Sequence, residues 1–237
     1  MVAKRNLLGE ALSVFFTFWS GLEAHEPEAV HAWRRSYPSF TLFGDADVLP
    51  LFDSDAQREI YKKIRIPACK SDVARLALLR HHGGLYVDAH TGPSSSERLA
   101  ETLGDLARYE LILFSKGWET NFNFMNGVLA ARRRLPIFDR LLERAFDNLV
   151  AHKRREAETT GHVEYNIFRL TGTRVMLELM FDNVRRNWEM KPEFRENIHF
   201  HVMASDSSPG FQIYKYRYRK PGAHWSERQL TERLFED

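Results

Sequence analysis

The segment 71–90 (SDVARLALLRHHGGLYVDAH) constrains the fold more than any other part of the chain. It predicts a helix over Ser71–His82, with Ser71 as the N-cap, Asp72 in the first turn and Gly83 as the C-terminal stop. A short hydrophobic strand, Leu85–Asp88, follows the two glycines, and the polar run TGPSSS ends it. A helix that leads directly into a buried strand is typical of an α/β sheet.

The rest of the chain agrees with this class. Strand Ser13–Trp19, helix Glu26–Tyr37 and strand Ser39–Phe43 form a β-α-β opening with nucleotide-binding potential. Further predicted elements are a loop and helix over Pro50–Ile66, strands Glu110–Phe114, Met125–Ala131, Ile198–Met203 and Phe211–Tyr218, helices Pro136–Val150 and Thr173–Arg186, and surface loops His152–Thr160 and Asp206–Gly210. We therefore expect one α/β domain with a central mixed β-sheet flanked by helices.

Composition excludes some classes of protein. The 34 Lys and Arg residues nearly balance 32 Asp and Glu, so no overall basic field recruits nucleic acid. Cys69 is the one cysteine, which excludes an intramolecular disulfide and favours a reducing compartment such as the cytoplasm. The apolar run Leu12–Trp19 is too short for a transmembrane segment and fits a buried strand better than a secretory signal. Peripheral membrane association is compatible with this sequence.

Four polar side chains of segment 71–90 predict a ligand site. Asp72 and Arg75 are three residues apart on a helix and share a face, where a carboxylate and a forked donor can bind the hydroxyls of one sugar. Asp88 and His90 are two residues apart, which on a strand puts them on the same side. Because ligands of open α/β sheets bind beyond the carboxyl ends of strands, this pair marks the expected site.

These residues carry a resemblance to a known family. The run resembles the S-D-x-x-R … G-G-x-Y-x-D-x-D signature of DXD-containing glycosyltransferases, grouped with yeast initiating mannosyltransferases, bacterial capsular-polysaccharide transferases and, more distantly, clostridial glucosylating toxins. The runs FFTFW-SG and HAWRRSYPSFTLFGD resemble the first strand, helix and second strand of that family. Asn126–Pro136, Thr171-Gly172 and His224-Trp225 resemble its later N-to-P, T-G and H/S-W elements.

The resemblance implies a GT-A-like, Rossmann-type nucleotide-sugar-binding fold and a retaining transferase. It would move a hexose from a UDP- or GDP-hexose to a saccharide or other hydroxyl acceptor in polysaccharide or glycan synthesis. Residues 1–140 would bind the donor, and residues 141–237 would form the acceptor side and a C-terminal lid. The implied catalytic residues are Asp72, Arg75 and Asp88, and the implied donor-binding residues are Trp19, Asp72, Arg75, Gly83, Gly84, Tyr86, Asp88, Asn126 and Trp225.

One position departs from the family pattern, because the second Asp of D-x-D is His90 here. In the family this Asp is the direct metal ligand. The resemblance implies a divalent metal held by Asp88, His90 and His224. Imidazole is a poor ligand for Mg²⁺ but a good one for transition metals, which favours Mn²⁺.

Two other functions stay open. Loss of the metal-binding Asp would suit a nucleotide-sugar-binding protein without transferase activity. The run Tyr214–Lys220 (YKYRYRK) alternates basic and aromatic residues as nucleic-acid surfaces do, but seven residues without a wider basic field favour an edge strand instead. Taken without the resemblance, Trp19 fits the core, Asn126 fits a turn before Gly127, and Trp225 fits a packing anchor.

Overall fold

A six-stranded mixed β-sheet forms the centre of the protein. The structure is a computed structural model that describes residues 14–20, 26–115, 124–184, 187–203, 205, 207–213 and 224–236. The strands are β1 (Phe15–Phe18), β2 (Thr41–Phe43), β3 (Gly84–Val87), β4 (Thr91–Pro93), β5 (Leu111–Ser115), β6 (Phe124–Ala131), β7 (Phe181–Val184), β8 (Asn187–Met190), β9 (Ile198–Val202) and β10 (Phe211–Ile213). The helices are α1 (Glu28–Ser36), α2 (Asp45–Val48), α3 (Asp55–Lys62), α4 (Pro67–His82), α5 (Ser96–Gly104), α6 (Pro136–Ala157), α7 (Ile167–Leu170), α8 (Thr173–Met180) and α9 (Trp225–Arg228).

The strands of the central sheet lie in the order β2-β1-β3-β6-β5-β9. Strand β6 runs antiparallel to its two neighbours, and the other pairs are parallel. The carboxyl ends of β1 and β3 therefore lie side by side, next to the amino-terminal half of β6. The predicted β-α-β opening and the mixed sheet are confirmed.

Side chains alternate between two buried layers on the sheet. Phe16 and Tyr86 belong to the larger core, which also contains the apolar side chains of α4, α6 and α8. Phe15 and Leu85 belong to the second core, with Trp33 of α1 and residues of α5. Both faces are covered, as expected for strands without regular alternation of apolar and polar residues, such as β1, whose four residues are all buried.

The central helix α4 begins earlier than predicted. Ser71 is not its N-cap, because the helix starts at Pro67, with Ile66 in the capping position. Proline suits the first helical position, since its fixed φ is helical and its missing N–H would have no partner there. Asp72 consequently lies in the second turn and is buried, whereas Gly83 ends the helix as predicted, with a φ of 65°.

Helix α6 continues through part of a predicted loop. The segment His152–Thr160 was expected at the surface, but the helix extends to Ala157, and His152 and Glu156 are buried. The Glu156 carboxylate accepts the backbone N–H groups of Leu234 (2.7 Å) and Phe235 (3.2 Å), and His152 Nε2 lies 3.1 Å from it. Because a buried carboxylate needs hydrogen-bond donors, this charged run attaches the C-terminal segment to α6.

Two smaller predictions also need correction, and a third cannot be compared. The run TGPSSS does not only end a strand: its first residues form β4, which pairs with β10. The helix predicted over Thr173–Arg186 ends at Met180 and is followed by the hairpin β7–β8. Residues 214–220, which carry YKYRYRK, lie outside the described residues, as does Asp206.

Candidate functional site

A cavity of about 470 Å³ opens at the carboxyl ends of β1 and β3. Its size is in the range of small-molecule sites. One wall comes from the sheet and α4, and the opposite wall comes from α7 and α9. The lining residues are Phe18, Trp19, Ser20, Pro67, Ala68, Ser71, Asp72, Arg75, Asp88, Ala89, His90, Asn126, Gly127, Ile167, Phe168, Gly172, Thr173, His224, Trp225 and Arg228.

Arg75 is the centre of a buried network at the base of this cavity. Its Nη2 lies 3.1 Å from Asp72 Oδ1 and 3.2 Å from Asp88 Oδ1, so one guanidinium pairs with two carboxylates. Its Nη1 donates to the Asn126 carbonyl, and its guanidinium lies over the Tyr86 ring, 5.1 Å from the centroid. Burial opposes the Arg75 charge, but Asp88, Tyr86 and Asp72 raise its pKa overall.

Asp72 is surrounded by donors from its own helix and from two distant parts of the chain. Besides Arg75, Asn126 Nδ2 donates to its Oδ1 (2.8 Å) and Thr171 Oγ1 donates to its Oδ2 (3.1 Å). Burial raises the pKa of Asp72 to about 6, although Arg75 lowers it. Thr171 was absent from the predicted site residues, and the T-G resemblance at Thr171-Gly172 was the signal that pointed to it.

Asp88 follows β3, and its pKa is shifted in the opposite direction to that of Asp72. Tyr86 donates its hydroxyl to Asp88 Oδ1 (2.8 Å), and the Asp88 N–H donates to the Gly127 carbonyl (2.7 Å). Burial alone would raise the pKa of Asp88, but Arg75, His90 and Tyr86 lower it below its usual value. The Asp88 side chain is 23% exposed, compared with 9% for Asp72 and 5% for Arg75. Asp88 is therefore the more exposed of the two carboxylates that Arg75 holds.

The different settings of the two carboxylates predict a pH-dependent stability. Asp72 takes up a proton more readily in the folded than in the unfolded protein, so its ionisation should destabilise the fold as the pH rises from about 4 to 6. We expect the unfolding free energy of the wild type to fall across this window by about 2–3 kcal/mol relative to Asp72→Asn, which cannot titrate there. Urea unfolding at several pH values measures this, and parallel curves for the two proteins would contradict it.

Asp88 and His90 line the same cavity, but not for the predicted reason. They do not alternate along a strand, since β3 ends at Val87 and the Thr91 N–H donates to the Asp88 carbonyl (2.8 Å) to close a turn. The turn, rather than the pleat of a strand, brings both residues to the cavity wall.

The predicted metal ligands form an incomplete set. Within the ranges that the structure describes, Asp88, His90 and His224 are not grouped as three ligands around one point. Asp88 Oδ1 already contacts Tyr86 and Arg75, and His224 Nδ1 lies 2.6 Å from Ser226 Oγ. Asp88 and His90 nevertheless both line the cavity, and a carboxylate and an imidazole are suitable ligands for a divalent transition metal.

The structure brings most of the other predicted site residues to the cavity. Trp19, Asn126 and Trp225 line it. Tyr86 is fully buried below Asp88 and contributes only through its hydroxyl and ring. The glycine pair Gly83 and Gly84 lies at the opposite end of β3, where positive φ angles and the close approach of Val14 and Arg133 exclude side chains. The glycines position β3 and do not line the cavity.

Comparison with known proteins gives three similarities. Residues 22–105 match the family model described as a glycosyltransferase sugar-binding region containing a DXD motif. The chain is 30% identical over 112 residues to an uncharacterized glycosyltransferase of Acanthamoeba polyphaga mimivirus, a match that covers 47% of this chain and 41% of that protein. It thus spans less than half the length of this relative.

The solved structure of the PaToxG glycosyltransferase aligns with a TM-score of 0.50 at 12% identity, covering 76% of this chain and 75% of that one. At this identity the similarity concerns the fold, which is of the GT-A type.

No helix in the described ranges is both long and apolar enough to cross a membrane.

Proposed function

We propose that this chain, whose residues 22–105 match the sugar-binding region of DXD-containing glycosyltransferases, transfers a sugar from a nucleotide-sugar donor to a hydroxyl acceptor. The observation that carries this proposal is the Arg75-centred network, which holds Asp88 anionic in the lining of a cavity of suitable size. In its finer form, the proposal is a retaining transfer of a hexose from a UDP- or GDP-hexose to a saccharide.

The donor would bind against the sheet-side wall. Trp19 follows β1 and offers an aromatic surface for the nucleotide base, next to Asp88, which would contact the ribose and the metal shell. Asp72 and Arg75 form an ion pair, and both bond to Asn126, so most of their polar atoms already have partners. They would bind the donor sugar through the small part of each side chain that is accessible. Their larger contribution is to fix the position of Asp88.

The acceptor would approach from the opposite wall. Residues 141–237 supply this wall through α7 and α9, and it includes Phe168, which is 41% exposed, and Trp225. Aromatic side chains of this kind can stack on the apolar faces of sugar rings while Arg228 donates to hydroxyls. This supports a division into a donor half, residues 1–140, and an acceptor half with a lid.

A divalent metal, with Mn²⁺ favoured, would be held by Asp88 Oδ2 and His90. When bound, such an ion neutralises the charge that develops on the departing nucleoside diphosphate. The residues of the chain orient the two substrates: Asp88 is fixed by Tyr86 and Arg75, and the Asn126 side chain is fixed by Asp72.

A second function is a nucleotide-sugar-binding protein without transferase activity, favoured by His90 in place of Asp and by the lack of a third grouped ligand among the described cavity residues. Thermal-shift assays and donor-hydrolysis assays of UDP- and GDP-sugars with Mn²⁺, Mg²⁺ or EDTA separate the two functions. A transferase shows metal-dependent turnover of at least one donor. A donor that raises Tm without turnover under any metal would reject the transferase proposal.

The substitution His90→Asp tests the metal preference directly. It restores a second carboxylate, so we expect the ratio of Mg²⁺-supported to Mn²⁺-supported activity to rise by about tenfold. Donor hydrolysis with each metal is the measurement, and His31→Asp, at an exposed position outside the cavity, is the matched control. An unchanged ratio would show that His90 is not a metal ligand.

A further inference from the structure

We propose a second metal site, for a zinc-type transition metal, formed by Asp105, His199 and His201 at the edge of the central sheet. One ligand atom from each residue lies within 4.8 Å of the other two, and His199 Nε2 is 3.3 Å from Asp105 Oδ2. This is the one such group of three in the part of the chain that the structure describes.

The fold arranges these ligands before any ion binds. His199 and His201 are two residues apart on β9 and therefore project to the same face of the sheet. Asp105 begins the 3₁₀ turn Asp105–Ala107, which follows α5 and packs on that face through the buried Leu106. The site thus joins the edge strand to the connection between α5 and β5.

Aromatic neighbours restrict the two imidazole rings. The His199 ring stacks on Tyr109 with centroids 4.8 Å apart and an interplanar angle of 20°, and the His201 ring lies 5.7 Å from that of Phe114. Side chains whose rotamers are held by packing lose less conformational entropy when they bind an ion. The rings are therefore better prepared for an ion than two histidines exposed on a loop would be.

The donor atoms indicate the kind of ion. Two imidazoles and one carboxylate, with a further position open to water, suit Zn²⁺, Co²⁺ or Ni²⁺ better than Mg²⁺ or Ca²⁺, which prefer oxygen ligands. Zinc–ligand bonds of about 2.0–2.2 Å put neighbouring ligand atoms closer together than 4.8 Å, so binding requires a small contraction of the cluster. The half-exposed Asp105 side chain can move to produce this contraction.

This site is separate from the donor cavity. None of its three ligands lines that cavity, and β9 is three strand spacings from β3, or about 14 Å. An ion there would not touch the donor. Its effect would be to attach β9, an edge strand in the described sheet, to the turn after α5, and so to stabilise the folded protein.

The test compares metal binding by variants of each site. Isothermal titration calorimetry with Zn²⁺ and the visible absorption of bound Co²⁺ report stoichiometry and ligand environment. We expect His199→Gln and Asp105→Asn each to lose one equivalent of bound metal, or to bind it at least tenfold more weakly, and to lose the Zn²⁺-dependent rise in Tm. His31→Gln is the matched control, because His31 lies 3.7 Å from the Glu26 carboxylate and belongs to no group of three potential ligands among the described residues.

Two further measurements keep the outcome interpretable. Asp88→Asn should retain the equivalent that His199→Gln loses, which separates this site from the donor cavity and from the proposed transferase activity. In EDTA, the circular dichroism spectrum and Tm of each variant should match those of the wild type. If His199→Gln fails to fold, metal binding by the half-exposed Asp105→Asn variant decides the test. Equal stoichiometry and affinity in the wild type and Asp105→Asn would overturn the proposal.

Discussion

Replacing Asp88 by Asn should reduce the proposed sugar transfer by a factor on the order of 10²–10³ and leave the fold intact. Asp88 is the most exposed carboxylate of the Arg75 network, and the lowered pKa keeps it anionic at neutral pH. The amide retains an oxygen that can accept from Tyr86, so the structural hydrogen bond survives while the charge is removed. The loss should therefore appear in kcat/KM for the donor, with only a modest fall in Tm because Arg75 keeps Asp72 as a partner when the Asp88 charge is lost.

The control for this variant is Asp53→Asn, which removes an exposed carboxylate paired with Arg80 at a position that does not line the cavity. Its activity should equal that of the wild type. If Asp88→Asn keeps kcat/KM within about threefold of the wild type, Asp88 does not take part in the reaction. Donor affinity from thermal shifts would then show whether it binds the donor at all.

Replacing Arg75 by Met is expected to lower the free energy of unfolding by about 3–5 kcal/mol. The substitution keeps much of the apolar length of the side chain but leaves Asp72 and Asp88 near each other without their shared cation. It also removes the donor to the Asn126 carbonyl. Urea unfolding near pH 7.5 measures the loss, and lowering the pH toward 5 should recover part of it because Asp72 then becomes protonated.

Two comparisons test this explanation. The double variant Arg75→Met with Asp72→Asn should be more stable than Arg75→Met alone, since one of the two unpaired carboxylates is gone. Arg174→Met is the matched control, because its carboxylate partner, Glu178, is exposed and such pairs contribute about 0–1 kcal/mol. A loss below 1 kcal/mol for Arg75→Met would show that water or local rearrangement replaces the guanidinium.

The part of the site that is local in sequence could be predicted. Arg75 and Asp88 belong to one helix-turn-strand unit in which Gly83 ends the helix, and Asp88 follows the strand at its carboxyl end, where ligands of α/β sheets bind. The error at Ser71 arose because a serine at the start of an apolar pattern is a good cap, whereas Pro67 is a stronger initiator four residues earlier.

Contacts between distant segments could not be predicted by the same means. The hydrogen bonds from Asn126 and Thr171 to Asp72 span 54 and 99 residues, and no periodicity links such positions. Glu156 was misassigned for a similar reason: a run of charged residues predicts a solvated surface unless a partner such as the Leu234 backbone is known. Tertiary structure decided the burial of each of these polar groups.

The attachment of the C-terminal segment to α6 limits how the cavity can open. Glu156 holds the segment at Leu234 and Phe235, while Trp225, upstream in the same segment, lines the cavity. The chain between these two points is also held at Gln229, whose carbonyl lies 3.0 Å from His162 Nε2 and whose side chain accepts the Ile167 N–H (3.2 Å). The wall formed by α7 and α9 is therefore attached to the rest of the fold at more than one point, and opening the cavity on this side would have to break these hydrogen bonds.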